Sequence, residues 1–81
     1  VYIRFMVIHE TLDCRGIACP GPVLRVSRAI KAIPVQAVLE VLASDPGFVP
    51  DIETFSRQTG HSLVGVELHP DGSRVFVQRS A

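Results

Sequence analysis

The run Asp13-Cys14-Arg15-Gly16-Ile17-Ala18-Cys19-Pro20-Gly21-Pro22 lies between two segments of different hydrophobic period. Upstream, Ile8-His9-Glu10-Thr11-Leu12-Asp13 alternates apolar and polar side chains, the pattern of a half-buried strand. Downstream, apolar residues recur at helical spacing from Val23 to Ile33. Pro20 suits the first helical position, where its missing N–H would have had no partner and its fixed φ is already near helical. Cys19 then falls at the N-cap, so the run sets a thiol where a strand ends and a helix begins.

A helix start presents unpartnered N–H groups and the positive end of the aligned peptide dipoles, and both favour a thiolate over a thiol. The dipole alone lowers a thiol pKa by only a few tenths. Pro20 and Pro22 carry no N–H, which leaves Gly21 and Val23 as the donors near the sulfur. The expectation is a moderately activated thiol that keeps its nucleophilicity, since nucleophilicity falls as pKa falls.

Working outward, a first helix over Pro20 to Ile33 aligns Val23, Val26, Ile30 and Ile33 on one face with Ala29 beside them, and Pro34 stops it. Val35 to Ala43 reads as a strand with Ala37, Leu39 and Val41 on one side and Val38 and Leu42 on the other. Apolar groups on both sides mark a central strand. Ser44-Asp45-Pro46-Gly47 reads as cap and first-turn chemistry. Because proline inside a helix costs about 3 kcal/mol, Pro50 predicts a short turn over 46–49, with Phe48 packed beneath it, and a helix from Pro50 to Thr59. Ile52, Phe55 and Thr59 share its face, Gly60 ends it, and Asp45 and Asp51 cap or begin it. Ser62 to Leu68, alternating around Val64, Val66 and Leu68, and Arg74 to Arg79, alternating through Val75 and Val77, form a hairpin across the turn residues His69 to Ser73.

The order is βαβαββ. Since β-α-β crossovers are right-handed, both helices cover one face of a four-stranded mixed sheet, an α/β (α+β) two-layer sandwich.

Length and charge narrow the function. A chain of 81 residues makes one domain with a small core. The formal net charge of zero gives no field for nucleic acid, so direct nucleic-acid binding is not expected. No apolar stretch approaches the ~20 residues that span a bilayer, and Val1 to Ile8 lacks a signal peptide's basic leader and cleavage site, so the expectation is a cytoplasmic protein without membrane contact. Residues 1–7 read as an N-terminal extension to a single domain over 8–81, with an internal start at Met6 or a longer parent chain both open.

Leu12-Asp13, Gly16, Cys19-Pro20-Gly21-Pro22 and Val23 resemble the TusA-like (SirA-like) sulfur carrier proteins, small domains marked by Cys-Pro-x-Pro after a Leu-Asp-x-x-Gly segment. Asp45-Pro46, Asp51-Ile52, Phe55 and the Gly60-His61 neighbourhood extend the resemblance over roughly Ile8 to Arg79. The resemblance implies a two-layer α/β sandwich in which Cys19 carries a persulfide. It implies a cysteine desulfurase or rhodanese-like protein as sulfur donor and a downstream acceptor protein, serving transfer-RNA thiolation, molybdenum-cofactor assembly or sulfur oxidation. No bound cofactor is implied, and such a protein is as much substrate as catalyst.

Around Cys19, the expected supports of the thiolate or persulfide are Pro20, Gly21, Pro22 and the guanidinium of Arg15. Cys14 is either a small buried strand residue or a second thiol that discharges or shields Cys19. Arg25, Arg28 and Lys31 form a basic group on the first helix, either a solvated face or a docking surface for an acidic partner. His9, His61 and His69 lack the paired spacing of metal ligands, so no metal site is expected; His61 is the histidine to watch. Two other readings stand beside the carrier: a dithiol redox or regulatory switch using Cys14 and Cys19, and a protein-interaction module whose cysteine is incidental.

Overall fold

The computed structural model describes residues 7–81. The extension expected over 1–7 lies, apart from an exposed Val7, outside the described residues. The chain runs β1 (Ile8–Cys14), α1 (Gly21–Ala29), β2 (Val38–Ala43), α2 (Phe48–Thr59), β3 (Ser62–His69) and β4 (Gly72–Gln78). The sheet order is β1-β2-β4-β3, with β1 and β2 parallel and the other pairings antiparallel. This is the predicted four-stranded mixed sheet with two helices.

One cluster forms the core. Val26, Ile30 and Ile33 from α1 and the turn after it meet Phe48 and Ile52 of α2 over Cys14, Leu39, Val41, Ala43, Val75 and Val77 of the sheet. Both helices therefore cover the same face. The alternation read for β2 holds: Leu39 and Val41 lie in the cluster, while Val38 and Leu42 fall outside it. The opposite face carries a polar network instead. Arg74 pairs with Glu40 and Glu67, Thr11 donates to Glu40 at 2.6 Å, and the guanidinium lies 5.1 Å from the Phe76 ring centroid.

Three boundaries and one strand face stand out among the differences from expectation. The regular part of α1 ends at Ala29, four residues before Ile33, although Ile30 and Ile33 stay buried. A proline disfavours helical geometry in the residue before it, so Pro34 acts upstream of itself. Tighter turns follow, with Ala32 N–H bonded to Ala29 O at 3.0 Å, and Arg79 donates to the carbonyls of Lys31 and Ile33 at 3.0 and 2.6 Å.

β2 begins at Val38 because residues 34–37 form a turn closed by Ala37 N–H to Pro34 O at 3.0 Å. α2 begins at Phe48, two residues before the expected Pro50. Pro50 is its third residue, where an N–H would have no partner within the helix, so the interior penalty does not apply. Gly60 ends α2 in the left-handed region at φ 81°, as expected, because only glycine enters that region without a Cβ penalty.

The fourth difference is in β3. Its predicted apolar face does not join the core: Val64, Val66 and Leu68 stay exposed, and Leu63 packs on the cluster instead. β3 is an edge strand, and its register shifts between Leu63 and Gly65.

Candidate functional site

Two helix starts converge on Cys19. The turn from Ala18 to Gly21, closed by Gly21 N–H to Ala18 O at 2.8 Å, leads into α1, and Cys19 is exposed on it. Across the gap lies Gly47, the N-cap of α2. A Cβ on Gly47 would stand 3.3 Å from Cys19 Cβ, 3.5 Å from Cys19 Sγ and 2.9 Å from Asp45 Oδ2. The missing side chain is what lets the thiol sit against the second helix. Asp45 fixes that start, since its Oδ2 accepts from Gly47 N–H at 3.0 Å and its carbonyl from Phe48 N–H at 3.1 Å. Asp51, in the first turn of α2, then reaches Cys19, and Sγ–H donates to its Oδ2.

This contact reverses the expected activation of the thiol. The helix register is shifted by one: Pro20 is the N-cap and Gly21 the first helical residue. The Gly21 N–H is spent on Ala18 rather than offered to sulfur. Meanwhile the Cys19 thiol is pushed up to about 11, first by its hydrogen bond to Asp51, then by partial desolvation and the negative charges of Asp51 and Asp45. A carboxylate in direct contact outweighs a helix dipole, whose effect is a few tenths. The resting site holds a neutral thiol.

Arg15 does not support the sulfur. It grips Asp13 through Nε and Nη2 at 2.9 and 2.8 Å, which holds the Asp13 carboxyl down at about 2. The next link of the loop is Gly16 N–H, which donates to Ser44 Oγ at 2.8 Å and ties the β1–α1 loop to the end of β2. Pro20 is exposed at the N-cap, Gly21 half-buried and Pro22 buried.

Cys14, the candidate second thiol, is fully buried in the core cluster and free. The pleat turns its side chain under the helices, and burial pushes its thiol up. The accessible-partner reading of Cys14 is corrected to a packing role, and with it the dithiol switch loses its second group.

Arg25, Arg28 and Lys31 are all exposed. Arg28 lies in the last turn of α1, where a cation complements the dipole. His61 stacks on Phe55 with centroids 6.0 Å apart, and its Nδ1 accepts from Ser80 N–H at 3.0 Å, so it pins the chain after α2 rather than joining Cys19. Among the described residues no group of three or more His, Cys, Asp or Glu converges as metal ligands.

Beside the thiol, an open groove of about 350 Å³ runs between the helices, lined by Pro20, Val23, Leu24, Asp51 and Phe55 among others. A second depression of about 250 Å³ is lined by Ile17, Ala18, Asp45 and Pro46. The sulfur is thus reachable by a partner chain. Gly47 and the Asp51 contact were not read from the sequence. The signal in the sequence is Asp45-Pro46 and Asp51-Ile52, whose local pattern speaks only for a helix start.

The fold and site define a small two-layer α/β domain that presents one thiol on a helix-flanked elbow. The family model described as sulfurtransferase TusA matches residues 10–79, and the chain belongs to that family. Sulfur carrier protein TusA of Allochromatium vinosum is 42% identical over 55 residues, covering 68% of this chain and 72% of its own. NMA0882 of Neisseria meningitidis serogroup A is 49% identical over 55 residues, covering 68% of this chain and 74% of its own. YrkF of Bacillus subtilis is 34% identical over 68 residues, and there the matched region is 84% of this chain but 37% of the relative's length. The crystal structure of a SirA-like protein from Desulfitobacterium hafniense superposes with a TM-score of 0.75 at 20% identity, over 89% of this chain and 99% of that one, so it shares the fold.

Proposed function

We propose that this chain is a sulfur carrier that accepts sulfane sulfur as a persulfide on Cys19 and hands it to an acceptor protein. The observation that carries the reading is the contrast between its two thiols: Cys19 is exposed between two helix starts while Cys14 is sealed in the core. A carrier needs one reachable nucleophile on a rigid support and no prosthetic group.

The donor is a cysteine desulfurase or a rhodanese-like protein, and the acceptor is a protein thiol. Arg25, Arg28 and Lys31 supply a basic surface for an acidic donor or acceptor, close in sequence to the motif. Transfer-RNA thiolation, molybdenum-cofactor assembly and sulfur oxidation are the uses that suit such a relay. Two unpaired cysteines suit a reducing compartment, in keeping with a cytoplasmic carrier.

The test is intact-mass analysis after incubation with a cysteine desulfurase and cysteine. Wild type and Cys14→Ser gain one reducible sulfur atom, and Cys19→Ser gains none. Sulfur uptake by Cys19→Ser, or loss of uptake in Cys14→Ser, counts against the reading.

A further inference from the structure

The thiol that a carrier must make nucleophilic is held in its least nucleophilic form. Sγ–H of Cys19 is donated to Asp51 Oδ2. The sulfur has a second carboxylate nearby in Asp45, whose Oδ2 is itself occupied by Gly47 N–H at 3.0 Å. Among the described residues no cation offsets them. On the α1 side, residues 20–24 carry no charged side chain, and Arg15 in the β1–α1 loop is committed to Asp13. The absent Cβ of Gly47 brings α2, and Asp51 with it, up against the sulfur.

We infer that Asp51 is a positioning residue for sulfur transfer, holding the proton of Cys19 while the carrier is empty and thereby setting when Sγ can attack. The inference rests on the carrier reading above.

The step it controls balances without an added oxidant or reductant. Cys19–SH and a donor persulfide R–S–SH give Cys19–S–SH and R–SH. The bond from Sγ to the outer sulfur forms, the donor S–S bond breaks, and the donor's inner sulfur leaves with the bonding pair and takes up the proton that Cys19 releases. The proton has to leave the Asp51 contact for this to occur. A docked donor that presents a hydrogen-bond donor or a positive charge to Oδ2 frees it, whereas a small electrophile brings neither. An empty carrier held in this way is spared from alkylation and oxidation at neutral pH.

The test compares iodoacetamide alkylation of Cys19 across pH in wild type, Asp51→Asn and Asp51→Glu. Wild type reacts with a midpoint near 11. In Asp51→Asn the midpoint falls toward the ordinary thiol value of ~8.5. The rate at pH 7.5 then rises on the order of tenfold, because the gain in thiolate outweighs the lower nucleophilicity of a more acidic thiol. Asp51→Glu restores a carboxylate and keeps its midpoint above that of the Asn variant. Should Asp51→Asn fold poorly, Asp51→Ser gives the same reading. An unchanged or raised midpoint in the variant lacking the carboxylate overturns the inference.

Failure of the two readings can be told apart. A wild type that takes up no sulfur from the desulfurase overturns the carrier, whereas normal uptake with an unmoved midpoint overturns the role of Asp51 alone.

Discussion

At the scale of single residues, the two cysteines divide by environment rather than by chemistry. Cys14 fills a fully buried place under the helices, so its contribution is volume. Cys14→Ala is expected to lower stability by about 1 kcal/mol, the order set by removing one buried small group, and to leave sulfur uptake unchanged. Denaturant melts and uptake assays on the same variant check both halves. Cys19 was legible from the motif as a thiol beside a helix start, but its contact with a carboxylate was not. The contact with Asp51 spans 32 positions of sequence and forms only when α2 folds over the β1–α1 loop. Local reading saw a helix start and two prolines, and from those alone a lowered pKa follows. Arg15 misled in the same way, because its nearest anion, Asp13, lies two residues away and takes it first.

At the scale of elements, punctuation residues were the readable part. Gly60 ends α2 as read, Pro34 lies beyond the turns that follow α1, and the strand alternation placed β2 inside the sheet. The start of α2 was less readable, because the cost of Pro50 depends on whether it falls in the first turn, which sequence alone did not fix. The exposure of Val64, Val66 and Leu68 on β3 was not legible, because alternation gives the sides of a strand but does not say whether a helix covers them. The start of α2 carries the site, so substitutions there separate stability from reactivity. Gly60→Ala, at the far end with φ 81°, is expected to cost about 1 kcal/mol and leave Cys19 alkylation unchanged. Gly47→Ala keeps an allowed φ of −75° but pushes on Cys19 and the Asp45 carboxylate, so it is expected to change the alkylation profile more than the melting temperature. Thermal melts read beside alkylation rates check this contrast.

At the scale of the whole molecule, the core is small enough for single residues to matter. A domain of 81 residues has about 4–12 kcal/mol of total stability. Phe48→Ala removes one of the largest buried side chains at the first residue of α2, at a cost of about 3–5 kcal/mol, enough to unfold much of the population. On the open sheet face, Glu40 is held below its ordinary pKa, first by the Thr11 hydroxyl and then by Arg74. A lowered carboxylate pKa contributes stability above the unfolded value of ~4.3 and loses it as pH falls through the folded value. Glu40→Gln should therefore cost about 1 kcal/mol at pH 7 and show a shallower loss of stability than wild type between pH 5 and pH 3, which urea melts across that range would reveal.

The direct measure of a carrier on Cys19 is where sulfur lands. Arg15 and Arg25 bracket Cys19, so trypsin separates it from Cys14 in the peptide Gly16–Arg25. After loading by a desulfurase, mass spectrometry of the digest should find one added sulfur atom on Gly16–Arg25 and none on the peptide ending at Arg15. Sulfur on the latter peptide, or on neither, would contradict it.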